Sequence, residues 1–363
     1  MRIGILGAGQ LGRMLALAGT PLGHSFVFFD QSPGEATRGI GHTVIGSFTD
    51  EKSLETFASE CDVITYEFEN VPCQTAHFLA QKLPVFPPPK ALEVSQDRVI
   101  EKEFLKNLGV PTPRFASASS EPDLVKACQT IGTPCIVKTR RFGYDGKGQA
   151  RMADITASSE VWKALGGSPL IVEEMIPFSR ELSVITVRDT QGAILTYPLA
   201  HNEHVDGILH RTELPAPNLS PALQAQANDI ATKIVTALNY VGILTVELFE
   251  VNGTLVANEI APRVHNSGHI TIDSVATSQF ENHIRAISQM PLGSVTPHQR
   301  GVMYNLVGGI PSPEALSRLP FAKAHLYDKS PRTGRKVGHI NLLDPTPDME
   351  QAVSTLIATT TKR

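Results

Sequence analysis

The chain has 363 residues, 41% hydrophobic and 19% charged, a composition that excludes extended disorder and predicts two or three globular domains. A formal net charge of -4 excludes a general pull toward nucleic acid or anionic membranes, so a polyanionic ligand must be met by local basic groups. Cys61, Cys73, Cys128 and Cys135 form no C-x-x-C or zinc spacing and read as free thiols, with Cys61 and Cys135 in apolar, buried surroundings.

No stretch has the apolar length of a membrane span, and Met1-Arg-Ile-Gly-Ile-Leu6 enters a strand at once, leaving no room for a signal peptide. A cytoplasmic location is the expectation. Residues 2–6 read as a buried strand, followed by Gly7-Ala-Gly-Gln-Leu-Gly12 and a helical run through Met14 to Ala18. Further strands are expected at 25–29, ending at Asp30, and at 61–65, ahead of Glu67-Phe-Glu-Asn70. This alternation predicts a parallel α/β domain with ligand contacts at the carboxyl ends of its strands. The Gly7-x-Gly9-x-x-Gly12 spacing has three readings: a dinucleotide site with Asp30 on ribose, close helix–strand packing, or another ligand's phosphate on the helix N-terminus. Val85-Phe-Pro-Pro-Pro89 is too rigid and donor-poor to continue a helix, which puts the first domain boundary near 85–95.

A helix is expected over 97–108, with Asp97 near its start and Gly109 beyond its end, followed by short strands alternating with helices such as 121–131 and 158–165. The apolar run 134–137 leads to Lys138 and then a loop with Gly143, Gly146 and Gly148. A lysine at a strand end before a mobile glycine loop can grip a polyphosphate without a P-loop, and Lys147 adds charge. Closure of that loop would shield an acyl phosphate from water. The plain alternative is an exposed basic hairpin. Residues 170–175 read as a strand running into a connector that presents backbone to an adenine edge and Glu181 to a ribose. Ordinary surface acidity is the alternative for Glu173, Glu174 and Glu181.

Antiparallel strands are expected at 182–187 and 193–199, and a long helix at 221–238, where Leu223, Ala227, Ile230, Ile234 and Leu238 recur at helical spacing. A hairpin follows over 243–261, then a helix over 278–288, strands at 301–307 and 323–327, and a basic loop over 329–336. In the hairpin, a strict two-residue turn at Asn252-Gly253 would set Glu247 opposite Asn258 and point Glu259 to the other face. A three-residue loop would instead oppose Glu247 and Glu259. Two close carboxylates repel unless a proton or cation lies between them, and oxygen ligands shared with phosphates suit magnesium. Asn258 could add a ligand, and a solvated hairpin is the alternative. Arg263-Val-His-Asn-Ser-Gly-His269 makes a poor core strand and a good anion pocket. Lys329-Ser-Pro-Arg-Thr-Gly-Arg-Lys336 sets four cationic groups in eight residues, with Pro331 and Gly334 favouring a fixed phosphate-holding loop. Aromatic interleaving is absent, so nucleic acid is not an expected partner.

Six segments in order carry a resemblance. They are Gly9-Gln-Leu-Gly-Arg-Met14, Tyr66-Glu-Phe-Glu-Asn70, Gly143-Tyr-Asp-Gly-Lys-Gly-Gln149, Asn258-Glu-Ile-Ala-Pro-Arg-Val-His-Asn-Ser-Gly-His269, Ser278-Gln-Phe-Glu-Asn-His-Ile-Arg-Ala286 and Gly334-Arg-Lys-Val-Gly-His339. Nearly end to end, the chain resembles the N5-carboxyaminoimidazole ribonucleotide synthase (PurK) family of ATP-grasp enzymes. The resemblance implies an α/β and α+β ATP-grasp fold with an N-terminal Rossmann-like (pre-ATP-grasp) domain over 1–95. A central lid domain with its linker would cover 96–180, and a catalytic domain with a C-terminal substrate segment 181–363.

It further implies a homodimer that uses ATP and bicarbonate to carboxylate the amine of aminoimidazole ribonucleotide. Arg98 and Lys138, with Gly143, Gly146, Lys147 and Gly148, would face the ATP phosphates. Glu173 and the Glu174-Met175 connector would lie near adenine and Glu181 on ribose. Glu247 and Glu259, beside Asn258, match the acids for magnesium, for which manganese can substitute. Asp145, next to Tyr144, matches the residue that binds the substrate amine. Arg263, His265, Asn266 and Lys329 match the bicarbonate and substrate region, while Arg332, Arg335 and Lys336, with Gln10 and Leu11, would hold the ribonucleotide phosphate. Three rivals stand beside it: a formate-using purine transformylase, a nicotinamide oxidoreductase, and a non-enzymatic nucleotide sensor.

Overall fold

The computed structural model describes residues 1–143 and 146–360, whose strands sort into three sheets. The first is parallel. Arg2–Leu6 pairs with Ser25–Asp30 on one side and Val63–Tyr66 on the other, and His42–Ile45 adds an edge beyond Ser25–Asp30. Near-continuous apolar runs suit strands covered on both faces, and Ile3, Ile5, Phe28, Phe29 and Ile64 are fully buried. The edge strand at 42–45 was not expected, since His42-Thr-Val-Ile45 is short, half polar and partly exposed.

Around the expected boundary the chain turns helical. Pro89 occupies the first turn of helix Pro89–Ser95, where a missing N–H leaves nothing unpaired. The next helix, Arg98–Asn107, starts under the Asp97 carboxylate, which accepts from the amides of Val99 and Ile100. It ends ahead of Gly109, whose φ of +68° lies in the left-handed region.

The second sheet is antiparallel, in the spatial order Phe115–Ala118, Leu170–Glu174, Cys135–Thr139, Gln149–Met152. Helices Glu121–Ile131 and Ser158–Ala164 cover it, and its core of Leu124, Ala127, Ile131, Val137 and Val172 is its own. Cys128 and Cys135 are buried there as free thiols, whereas Cys61, expected to be buried, is only partly so.

The third sheet has nine strands, with Arg180–Arg188 paired along its whole length to Gly242–Glu250 and helix Pro221–Ala237 packed on one face. Ile194–Thr196 pairs antiparallel with Arg180–Arg188 as expected. The hairpin Ala200–Val205 and Ile208–Leu214, the strand Lys336–Leu343 that starts inside the basic loop, and helix Pro347–Thr360 were not expected.

The first and third sheets share one core, in which Ile5, Leu15 and Phe28 meet Ile243, Phe280 and Ile284. His283 ties them by hydrogen bonds. Its Nδ1 accepts from the Ile243 N–H at 3.1 Å, which leaves Nε2–H to donate to Thr65 Oγ1 at 2.8 Å. Burial holds this imidazole neutral, with its pKa down at about 3. No helix among the described residues is long and apolar enough to cross a membrane.

Candidate active site

A cleft of about 980 Å³ opens where the carboxyl ends of the first sheet, the second sheet and the Glu247–Glu259 hairpin converge. Lys138 reaches it from the end of Cys135–Thr139. Its ammonium lies 2.7 Å from Glu173 Oε2 and donates to Asn258 Oδ1 at 3.3 Å. On the far side of Glu173 stands Lys102, 1% exposed, its Nζ 3.5 Å from Oε1. Burial alone would raise the Glu173 carboxyl, but the Lys138 and Lys102 ammoniums hold it down at about 2. Glu173 therefore fixes Lys138 rather than facing the cleft near adenine, which corrects the expectation. Glu174 turns outward to Arg114 at 3.0 Å, and neither it nor Met175 lines the cleft. The apolar wall comes from Phe178 and Phe249, stacked 4.6 Å apart at 11°.

The hairpin resolves the register question in a third way. Val251 pairs with Thr254 across a two-residue turn in which Asn252 and Gly253 have φ of +50° and +77°, both left-handed. Pairing stays regular to Leu248 opposite Ala257. Asn258 is then bulged out, and Glu247 meets Glu259. The bulge thus reverses the parity of the strand and brings the acids to one face. Lys102 donates to the carbonyls of Asn258 and, at 3.4 Å, Ala257, so a buried ammonium pins the bulge. On the other side of it, the Ile260 N–H donates to a carboxyl oxygen of the buried Glu101 at 2.6 Å.

Arg98 bridges Glu259 Oε2 at 2.6 Å and the Gly143 carbonyl at 3.2 Å, so it links the hairpin to the glycine loop. Two acids on one face beside an amide oxygen fit magnesium, which takes one or two carboxylates and leaves its other positions to phosphate oxygens and water.

Arg263, His265 and Asn266 follow the hairpin along one wall. The Arg263 guanidinium is held in a fork by Glu69, from the end of the first sheet, with Nη2 to Oε1 at 3.0 Å and Nε to Oε2. Burial would raise Glu69, but Arg263 holds it at about 2. His265 Nε2 lies 3.3 Å from Glu247 Oε1. The side-chain amide of Asn266 is buried with no partner for either atom among the described residues, an arrangement that calls for a ligand at the cleft. Glu181 lines the opposite wall with its carboxylate on His204, a residue not singled out from sequence.

The N-terminal glycine turn is not an open dinucleotide cradle. Glu67 fills it, accepting from the amides of Gly9 and, at 2.7 Å, Gly12. Asp30 accepts from the Ala8 amide at 2.9 Å, so it serves the turn and not a ribose. The first-turn amides left over are those of Gln10 and Leu11, both on the cleft wall. Lys329 Nζ donates to Gln10 Oε1 at 2.7 Å, which joins the basic loop to this helix end. Burial, then Arg335, lowers the Lys329 ammonium to about 8.

Arg335 and Lys336 line the cleft, Arg335 paired with Glu35 at 3.0 Å, whereas Arg332 is exposed outside it. In the lid loop, Gly143, Gly146 and Lys147 line the cleft, while Gly148 packs behind them against Thr139. Tyr144 and Asp145 lie outside the described residues.

Residues 1–96 match the ribonucleotide synthetase preATP-grasp domain, 103–280 the ATP-grasp domain and 301–352 the phosphoribosylaminoimidazole carboxylase C-terminal domain. The N5-carboxyaminoimidazole ribonucleotide synthase of Pseudomonas aeruginosa is 44% identical over 342 residues, covering 94% of both chains. The crystal structure of the corresponding synthetase from Thermus thermophilus superposes with a TM-score of 0.94 at 47% identity, covering 99% of each chain. A structure of the Aspergillus clavatus synthase in complex with ADP and 5-aminoimidazole ribonucleotide superposes with a TM-score of 0.89 at 32% identity, covering 98% of this chain and 97% of that one.

Proposed function

The chain belongs to the N5-carboxyaminoimidazole ribonucleotide synthase family of ATP-grasp ligases, and from that premise we propose how its residues divide the reaction. It carboxylates the amine of 5-aminoimidazole ribonucleotide at the expense of ATP and bicarbonate, releasing ADP and phosphate in purine biosynthesis. The observation that carries the division of roles is the convergence in one cleft of Lys138, the Glu247–Glu259 pair, the Arg263–Asn266 strip and the Lys329 loop.

ATP lies along the hairpin, its base against the flat Phe178–Phe249 pair and its ribose toward Glu181. Lys138 and Arg98 face the phosphates, Lys138 oriented by Glu173. Glu247 and Glu259, beside Asn258, would hold magnesium or manganese, which would supply positive charge to offset that of the phosphates. Bicarbonate oxygen attacks the γ-phosphorus and ADP leaves, giving carboxyphosphate. The Lys138 ammonium, fixed before the reaction, stabilises charge on the transferring group. Loop 143–148 closes over it, since water would hydrolyse the mixed anhydride.

Carboxyphosphate breaks to carbon dioxide and phosphate, and the substrate amine forms the new C–N bond as it loses a proton. Arg263, its fork held by Glu69, turns its remaining N–H groups to the anion, and Asn266 supplies the amide otherwise left unpaired. Asp145 orients the amine, with either it or the released phosphate accepting the proton. Gln10, Leu11, Arg335 and Lys336 take the ribonucleotide phosphate, with Lys329 between the two substrates and Arg332 at the rim. Tyr144, adjacent to Asp145 in sequence, is assigned to the same substrate. Residues 1–95, 96–180 and 181–363 act as base, lid and catalytic unit of a cytoplasmic homodimer, an assembly that sedimentation would test.

The deciding experiment is ADP release with magnesium and aminoimidazole ribonucleotide, with and without bicarbonate in degassed buffer. Bicarbonate-dependent turnover with carboxylated product is expected. Turnover that needs formate would change the substrate, and tight ATP binding without turnover would favour the nucleotide sensor. Glu259→Ala should abolish carboxylation and keep the fold, because it removes a cleft carboxylate and no core group.

A further inference from the structure

His265 is the cleft end of a buried chain of hydrogen bonds, and one contact sets the direction of the whole chain. The backbone N–H of Ser267 points at His265 Nδ1 from 3.3 Å. A backbone N–H can only donate, so Nδ1 is an acceptor and the proton of the neutral ring is on Nε2. Ser267 Oγ lies 2.9 Å from the same nitrogen and must give it its own proton, while its oxygen accepts from Ser183 Oγ at 2.8 Å. Ser183 accepts in turn from the Asn202 amide at 3.0 Å, and the Asn202 carbonyl accepts from Thr212 Oγ1 at 3.0 Å.

Ser183, Thr212 and Ser267 are 0% exposed and Asn202 is 5% exposed, so water cannot rearrange the chain and each polar atom in it needs its partner. The backbone of His265 is clamped as well. Its N–H donates to Gln279 Oε1 at 3.0 Å and its carbonyl accepts from Gln279 Nε2 at 2.6 Å. Gly268 makes this possible, because a Cβ there would lie 2.4 Å from Gln279 Cδ.

We propose that Ser267, Ser183, Asn202 and Thr212 are positioning residues that lock His265 as an Nε2–H donor aimed into the cleft. The opposite tautomer would set Nδ1–H against the Ser267 N–H, donor to donor, in a dry site. The cleft therefore meets an imidazole N–H and no lone pair. His265 serves by holding the Glu247 carboxylate, or an anionic oxygen beside it, and the proton shed by the substrate amine goes to another acceptor. This inference rests on the carboxylation reading above, in which the strip Arg263–Asn266 that contains His265 faces the reacting anion.

The test is 15N NMR of the histidine-labelled full-length protein without substrates, with the His265 signals identified by their absence from His265→Gln. A protonated, pyrrole-type Nε2 and an unprotonated, pyridine-type Nδ1 are expected, and the reverse would overturn the proposal. In Ser267→Ala the ring loses its hydroxyl partner. The backbone N–H remains and keeps the tautomer, so a shift of the Nδ1 signal from loss of the hydroxyl hydrogen bond is expected, with kcat down about tenfold and the KM for ATP unchanged. Unchanged ring signals together with an unchanged kcat would equally overturn it. Retention of the thermal shift by ADP shows that the variant has folded. Because the ring signals are read without turnover, failure of this assignment and failure of the carboxylation reading are seen separately.

Discussion

Two glycine-rich turns of this chain look alike as sequence and use their glycines differently. In Gly7–Gly12 the glycines make room for the chain's own carboxylate. A Cβ at Gly7 or Gly9 would come within 2.5 or 2.6 Å of Glu67 atoms, and that turn sits over the core shared by the first and third sheets. In the loop around Gly143–Gly148 the glycines supply backbone shape. Gly146 and Gly148 have φ of +75° and +71°, and the loop joins two strands of a sheet with its own core. Glycine spacing thus reports where the chain needs curvature or room.

The contrast is sharpest at the lysine before the second loop. Lys138→Met should lower kcat by roughly 10²–10³, the scale of removing one preorganised charge from a transferring group, with the fold intact by circular dichroism. A loss below tenfold would remove Lys138 from the phosphates.

The glycines themselves give the next test. Gly9→Ala should destabilise the protein by about 1–3 kcal/mol through overpacking against Glu67 while leaving the KM for ATP alone. Gly148→Ala should raise the KM for ATP severalfold, because it strains the lid loop at a positive φ. If Gly9→Ala raised the KM for ATP and Gly148→Ala did not, the two roles would have to be exchanged.

Acid stability tests how Lys138 is held. Glu173 falls from the usual 4.5 to about 2 in the fold, so its stabilising effect is complete above 4.5 and is lost as the pH falls toward 2. Lys102→Met removes one of the two ammoniums that hold it down. The acid-unfolding midpoint should therefore move to higher pH, read by far-ultraviolet circular dichroism; an unmoved midpoint would disconnect Lys102 from Glu173.

The smallest expected effect is at Glu35, which occupies Arg335 and Ser330 at the cleft edge. Glu35→Ala should lower the KM for the ribonucleotide about twofold, as expected for a partly exposed ion pair. A raised KM would mean that Glu35 orders the loop rather than competing with the phosphate.

Much of the fold was legible, because long periodic segments declare themselves. The helix Pro221–Ala237 and the strand Gly301–Val307 fall where the apolar pattern puts them. The hairpin Ala200–Leu214 was hidden by its polar face, since Glu203, His204 and Arg211 make ion pairs or line the cleft and break the simple alternation. In the site, the residue types at Lys138, Glu247 and Glu259 were readable, yet the bulge that aligns the acids was not. It depends on Lys102, which as sequence is one more lysine on an amphipathic helix and becomes a buried donor only through tertiary contact. Glu67 and Glu69 lay in a quoted segment without assigned roles, because their partners Gly9, Gly12 and Arg263 are 55 to 194 residues away.

The core that runs from the first sheet into the third also governs cooperativity. Segments that share buried side chains lose them together, so residues near the two ends of the chain should melt as one unit, while the sheet spanning Phe115–Glu174 has its own contacts to lose. Amide exchange should open that smaller unit at a lower free-energy cost than the rest. The chain would release its hold on a nucleotide before it surrendered the pocket for the second substrate, and a bound nucleotide, by bridging the two units, would merge their separate transitions into one.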